Sequence, residues 1–243
     1  IAAHKRKIPI ISHESDYTIG LANKITSKYS KKVLTSFSDT AKTISNGEYV
    51  GTPIRKSLLT KPNQDIYSTF GFKGNKPVLL VIGGSQGSKV INDTVRNALP
   101  DLLNVFDIIH LCGKNNLNSD IIQKGYFQTE YMNNIENAFA ISSICVSRAG
   151  SNSVFELMSL KKPCVLIPLP KGISRGDQIL NACYFEKLGL ATVLFQDALT
   201  DKSLTTQIYA TYNNKALLEK RFSENPIKDA SRTISRILAD SAR

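Results

Sequence analysis

Long apolar runs are missing from this 243-residue chain. The longest, Val78–Ile82 and Cys164–Ile167, fall far short of the roughly 20 residues that span a bilayer, so no membrane crossing is expected. The four cysteines, Cys112, Cys145, Cys164 and Cys183, lack close spacing and sit in or beside apolar segments. That pattern excludes a zinc framework and a disulfide scaffold, and fits buried reduced thiols in a cytosolic protein. His4, His13 and His110 are too scattered to suggest a metal site. No Asp-x-Asp pair occurs, so a carboxylate clamp for a metal-bound diphosphate is not indicated, and no metal or other cofactor is expected. Fixed-period repeats and low-complexity tracts are also absent. The chain shows no signal-peptide pattern and opens on Ile1 rather than methionine, which leads us to expect that upstream sequence has been removed.

What is present is a soluble α/β composition with an uneven charge. The net charge is +11, and residues 1–61 hold 11 Lys or Arg against 4 Asp or Glu. Such a bias favours anionic partners, among them acidic lipid headgroups near residues 5–7 and 24–32, although solvated lysines on helix faces account for many such runs. Few exposed-aromatic signals and no recognition motif accompany it, so nucleic acid is not an expected partner.

Strand and helix patterns alternate along the chain. A short strand is expected at Ile8–Ile11, a helix at 19–29 with Ala22, Ile25 and Tyr29 on one face, a strand at 32–35, a helix capped by Ser38 and a strand at 48–50. Residues 61–76 read as a connection. Beyond it come strands at 78–82, 105–111, 126–129, 143–146, 163–167 and 191–195, with helices at 88–99, 134–140, 151–160, 177–187 and 202–212. This is the pattern of a doubly wound parallel sheet. An amphipathic helix carrying Ile227, Ala230, Ile234 and Ile237, with Arg232, Arg236 and Arg243 elsewhere on its surface, closes the chain at 226–242.

Two turns carry the chemistry. Val78–Ile82 runs into Gly83-Gly84-Ser85-Gln86-Gly87-Ser88, and Ile144–Val146 runs into Ser147-Arg148-Ala149-Gly150-Ser151. Each opens a helix, which aims backbone N–H groups and a positive helix end at an anion. A nicotinamide dinucleotide is disfavoured, because G-x-G-x-x-G and an acidic residue after the next strand are both missing. Glu156, on the second turn of its helix, could accept two hydrogen bonds from a ribose diol, or could simply face solvent. Asp177, Gln178 and Asn181 at another helix start suit a polyhydroxylated ligand, although Asp177 could equally be a plain cap.

These segments resemble the MurG family of bacterial glycosyltransferases. The resemblance runs through His13-Glu14-Ser15-Asp16 with Gly20–Lys24, Gly51-Thr52-Pro53-Ile54-Arg55, Gly83–Ser88, Ser147-Arg148-Ala149-Gly150-Ser151 to Glu156, and Asp177-Gln178 to Asn181-Ala182. It implies the two-domain GT-B fold, an α/β architecture with Rossmann-like sheets. The divisions it suggests are 1–55 as the end of an acceptor domain, 56–225 as the UDP-sugar domain and 226–243 as a helix returning to the first. It implies inverting transfer of N-acetylglucosamine from UDP-N-acetylglucosamine to undecaprenyl-diphosphate-linked muramyl peptide, lipid I, for peptidoglycan. It implies a peripheral enzyme on the cytoplasmic face of the plasma membrane.

By the same resemblance Met132 would face the uracil, Glu156 the ribose, and Arg55, Gly84, Ser85 and Gln86 the diphosphate. Arg148, Gly150 and Ser151 would line the second turn, with Asp177, Gln178, Asn181 and Asp16 around the sugar. The family often has amides at the positions of Asp16 and Asp177. Its N-terminal glycine loops, one of which carries its proposed basic histidine, have no counterpart here, so no catalytic base is assigned and Asp16 is the one weak candidate. The expectation is a chain that binds the donor but transfers poorly alone. The alternatives are a donor-binding subunit of a split transferase and another GT-B enzyme, such as a UDP-N-acetylglucosamine 2-epimerase.

Overall fold

A computed structural model describes residues 1–59, 66–84 and 86–241. Ser85, Arg243 and the first part of the expected connection at 61–76 lie outside the described residues. The chain begins with α1 (Ala2–Lys5), followed by β1 (Ile11–Glu14), α2 (Leu21–Thr26), β2 (Lys32–Thr35), α3 (Ser38–Lys42) and β3 (Gly47–Tyr49). These three strands form a parallel sheet in the order β1-β2-β3. A 3₁₀ turn at Lys56–Leu59 and α4 (Ile66–Thr69) follow.

The larger unit contains β4 (Val78–Ile82), α5 (Lys89–Leu102), β5 (Asp107–Leu111), β6 (Tyr126–Thr129), α6 (Ile135–Ile141), β7 (Ser142–Ser147) and α7 (Ser151–Ser159). It continues with β8 (Cys164–Leu166), α8 (Asp177–Lys187), β9 (Thr192–Val193), α9 (Asp201–Asn213) and α10 (Lys215–Glu224). The last described helix is α11 (Ser231–Ser241). Its six strands are all parallel in the order β6-β5-β4-β7-β8-β9.

Both faces of this sheet are covered, which explains why β4 and β5 are buried along their whole length. Alternate residues of β4 face opposite sides. Leu79 and Val81 pack with Ile91, Val95 and Leu99 of α5 and with Leu204 and Ile208 of α9. Val78, Leu80 and Ile82 join Phe139 of α6, Leu157 of α7 and Phe185 of α8. The smaller sheet meets that second core through Phe37, whose ring lies 4.9 Å from Phe155, 5.0 Å from Tyr184 and 5.9 Å from Phe185. On its other side Leu34 and Val50 pack against Ala230, Ile234 and Ile237.

Several expected boundaries move. The first strand starts at Ile11 rather than Ile8, and Ile8 is exposed; Pro9 has no N–H to give a ladder there. The helix expected at 19–29 is shorter, and its apolar residues Ile25 and Tyr29 lie at the surface. Residues 226–230 are not helical, because Thr52 N donates to the Lys228 carbonyl, the Thr52 carbonyl accepts from Ala230 N, and Asp229 Oδ1 accepts from Ile54 N at 3.2 Å. The same oxygen accepts from Ser231 N and starts α11 later than its periodicity suggests.

His110 of β5 is fully buried between Tyr126 Oη at 2.8 Å and Asn92 Oδ1 at 3.0 Å. Burial, helped by nearby Arg96, pulls its pKa down to about 3. The unfolded chain therefore takes up this proton first, so the stability from a neutral His110 is full above pH 6.5 and is lost as pH falls towards 3. Denaturant unfolding of the parent chain should weaken by about 1 kcal/mol per pH unit more than that of His110→Gln between pH 6 and pH 4. Equal pH slopes would mean that another group governs the acid limb.

Candidate functional site

The strand order reverses at β4, between β5 on one side and β7 on the other, and the crevice opens at the carboxyl ends of the strands. Ile82 ends β4 and Ser147 ends β7, so the two glycine-bearing turns stand side by side at that edge. Ser88 caps α5, its Oγ accepting from Ile91 N at 3.5 Å. Gly87 has φ +73°, and a Cβ there would run into the Cys112 carbonyl oxygen. Gly84, at φ +91°, and Gly150 have open space where a Cβ would stand. The first glycine is thus needed for packing beneath the turn, and the other two keep the crevice clear above it.

Two adjoining depressions fill the crevice. The first, about 200 Å³, is lined by Arg55, Gly84, Met132, Glu156 and neighbours from the ends of β4, β5 and β7. The second, about 400 Å³ and more open, is bordered by Asp16, Gly150, Ser151, Ser174, Asp177 and Gln178. Ser153 borders both, so they lie side by side at the start of α7.

Within the first depression Arg55 Nε and Nη2 donate to the two carboxylate oxygens of Glu156 at 2.6 and 2.9 Å. The fork raises the pKa of Arg55 further. In the second, Gln178 Oε1 accepts from Leu169 N at 3.0 Å, which holds the side chain and leaves its amide nitrogen as the donor for a ligand.

Two expected contact residues lie below the crevice instead of in its wall. Arg148 is 8% exposed and donates to the carbonyls of Ile167 and Pro168, to Ser88 Oγ at 2.7 Å and to Gln196 Oε1 at 2.7 Å. It ties the second turn to the cap of the first helix, and burial lowers its pKa. Asn181 is 0% exposed; it accepts from Tyr17 N and donates to Asp16 Oδ1 and to the Ala149 carbonyl. Its role is to fasten the two sheets together. Gln86 is exposed on the first turn and borders neither depression.

Sequence reasoning also passed over groups that shape the site. Buried Glu14 accepts from the backbone N–H groups of Asp16 and Gly20 and from Asn23 Nδ2, fixing the loop that presents Asp16. Thr18 donates to Asp177 Oδ1 across the seam at 3.1 Å. Both stand inside or next to motif segments, but only the meeting of the two sheets reveals their partners.

Comparison with known proteins agrees with this geometry. Residues 78–237 match the glycosyltransferase family 28 C-terminal domain. A relative from Clostridium botulinum (strain Loch Maree / Type A3) is 45% identical over 98% of this chain and 68% of its own length. It is a UDP-N-acetylglucosamine--N-acetylmuramyl-(pentapeptide) pyrophosphoryl-undecaprenol N-acetylglucosamine transferase. The chain belongs to this MurG family. A Geobacillus thermodenitrificans member is 44% identical over 97% of the chain and 67% of its own length.

Among solved structures, Acinetobacter baumannii MurG superposes with a TM-score of 0.76 at 24% identity, covering 98% of this chain and 69% of that one. Os79 from O. sativa, in complex with UDP, gives 0.67 at 15% identity over 89% and 56%. Both likenesses establish a glycosyltransferase fold with a Rossmann-like sheet for this MurG-family chain.

The contrast between the glycines can be measured. Gly87→Ala should destabilise the chain by more than about 2 kcal/mol, from unfavourable φ plus the clash at Cys112. Gly84→Ala, with the same sign of φ but free space, should cost only about 1 kcal/mol in the same denaturant titration. Equal costs would remove the argument for close approach.

Proposed function

We propose that this chain holds UDP-N-acetylglucosamine for transfer of its sugar, with inversion, to the lipid-linked muramyl peptide that its relatives' name specifies. The observation that carries this reading is the divided crevice. One end has a carboxylate and an arginine beside Met132, and the other has Asp16, Asp177 and Gln178 around a wider opening. Two helix starts stand between them.

The uracil would lie against the Met132 backbone, the ribose on Glu156, and the diphosphate over Gly84 and the starts of α5 and α7. The sugar would then reach Asp177 and Gln178. Glu156 is engaged by Arg55. A ribose diol displaces that guanidinium, which is then free to turn to the diphosphate a short distance away. The departing charge is stabilised by N–H dipoles and Arg55, which requires no divalent metal. Asp16, which borders the wider depression, is our candidate for the base.

The acceptor is lipid-borne, and we place the chain at an anionic membrane surface. No helix among the described residues is long and apolar enough to cross a membrane. Leu21 and Ile25 of α2 are 69% and 50% exposed and share that helix with Lys24. An apolar face with basic neighbours suits peripheral binding. Sedimentation with vesicles should show more bound protein when they contain anionic lipid, and Leu21→Ser with Ile25→Ser should reduce it. Indifference to lipid charge would count against this placement.

Calorimetric titration tests the donor site. UDP-N-acetylglucosamine should bind with and without magnesium, and more tightly than UDP-glucose. Glu156→Ala should weaken UDP by roughly 10-fold or more, the loss of a charged hydrogen-bonding partner worth about 1.5–3 kcal/mol. It should also erase the preference for UDP over 2′-deoxy-UDP. Unchanged UDP affinity in this variant would remove Glu156 from the ribose.

A further inference from the structure

Arg175 follows Ser174, which borders the wider depression, and pairs with two of the carboxylates that border it. Its Nη2 is 2.8 Å from Asp177 Oδ2 and 3.8 Å from Asp16 Oδ2. The other oxygen of each carboxylate is held by a neutral donor, Asp177 Oδ1 by Thr18 Oγ1 at 3.1 Å and Asp16 Oδ1 by Asn181 Nδ2 at 3.0 Å. The guanidinium rests on Gly20, where a Cβ would come within 2.9 Å of Nη1. Gly20 is itself fixed by its N–H on Glu14 Oε2 at 2.7 Å. The seat for Arg175 is therefore shaped by the smaller sheet, while the residue belongs to the loop before α8.

One nitrogen bridging both oxygens places the two carboxylates within about 7 Å of each other, close enough to repel through protein. Unbalanced, the two would push each other apart and turn their oxygens away from the sugar hydroxyls. Carboxylates are nevertheless good acceptors for sugar hydroxyls, provided their charge is offset and their orientation is fixed.

Resting on the donor reading above, we propose that Arg175 is the positioning residue of the sugar subsite, balancing and aiming Asp16 and Asp177 so that both accept hydrogen bonds from the donor's sugar hydroxyls. The residue acts through these two carboxylates. Its contribution belongs to the sugar and not to the nucleotide, which lies at the far end of the crevice by Glu156.

The test is the ratio of affinities for UDP-N-acetylglucosamine and UDP, titrated into the same sample of the 243-residue chain, so that any unfolded fraction cancels. Arg175→Gln should lower this ratio about 10-fold or more while leaving UDP within about threefold of the parent. The triple variant Asp16→Asn, Arg175→Gln, Asp177→Gln removes the repulsion with the bridge and should recover the ratio to within about threefold. An unchanged ratio in Arg175→Gln, an equal loss for both ligands, or a triple variant no better than the single one would overturn the proposal. Failure of the parent chain to bind UDP at all would instead bring down the donor reading, and this assignment with it.

Discussion

Everything at the site depends on β4 pairing in parallel with both β5 and β7. Parallel strands deliver their carboxyl ends to one edge, and a chain that turns left after one central strand and right after its neighbour cannot close the gap between the two turns. Among the described residues, Gly84 and Gly150 project no side chain into that gap. The buried central strands β4 and β5 beneath supply the rigidity that lets such a gap persist.

Below that edge, polar groups replace apolar packing. Arg148 spends its donors on two carbonyls, a hydroxyl and an amide, none of them a carboxylate. Those contacts therefore bring its charge no carboxylate. Desolvating a guanidinium is costly unless its donors are met, and here meeting them also fixes the distance between the two turns. Asn181 makes the same kind of investment at the seam, where Tyr17, Asp16 and Ala149 all converge on one buried amide.

The sequence made the strands of the larger sheet legible because their signal is local: β4, β6 and α8 match their expected spans, and period-2 and period-3.6 patterns need no partner to be seen. Failures came where another segment decides the outcome. Pro9 delays β1, Thr52 takes the start of α11 into a bridge, and α10 buries only Leu218 and Phe222, too sparse a stripe to stand out. At the site, residue types were readable but their direction was not. Arg148 and Asn181 look like ligand contacts in a string of letters, since polar residues beside glycine turns serve equally to bind or to brace. Only burial separates the two uses.

The two ends of the crevice hang on different parts of the molecule. The depression where we place the nucleotide is built from the larger sheet and from Arg55 in the segment entering it. The depression where we place the sugar is bordered by Asp16, which reaches it from the smaller sheet on a loop held by Glu14 and Asn181. Phe37 and the rings around it make the seam apolar and well packed, so the smaller sheet is not free to supply Asp16 from several positions. Nucleotide recognition can then be complete within one unit, whereas recognition of the sugar reports that both units are correctly joined. For a transferase this would be a useful asymmetry, because in the proposed arrangement the carbon that reacts lies at the end where the two units meet.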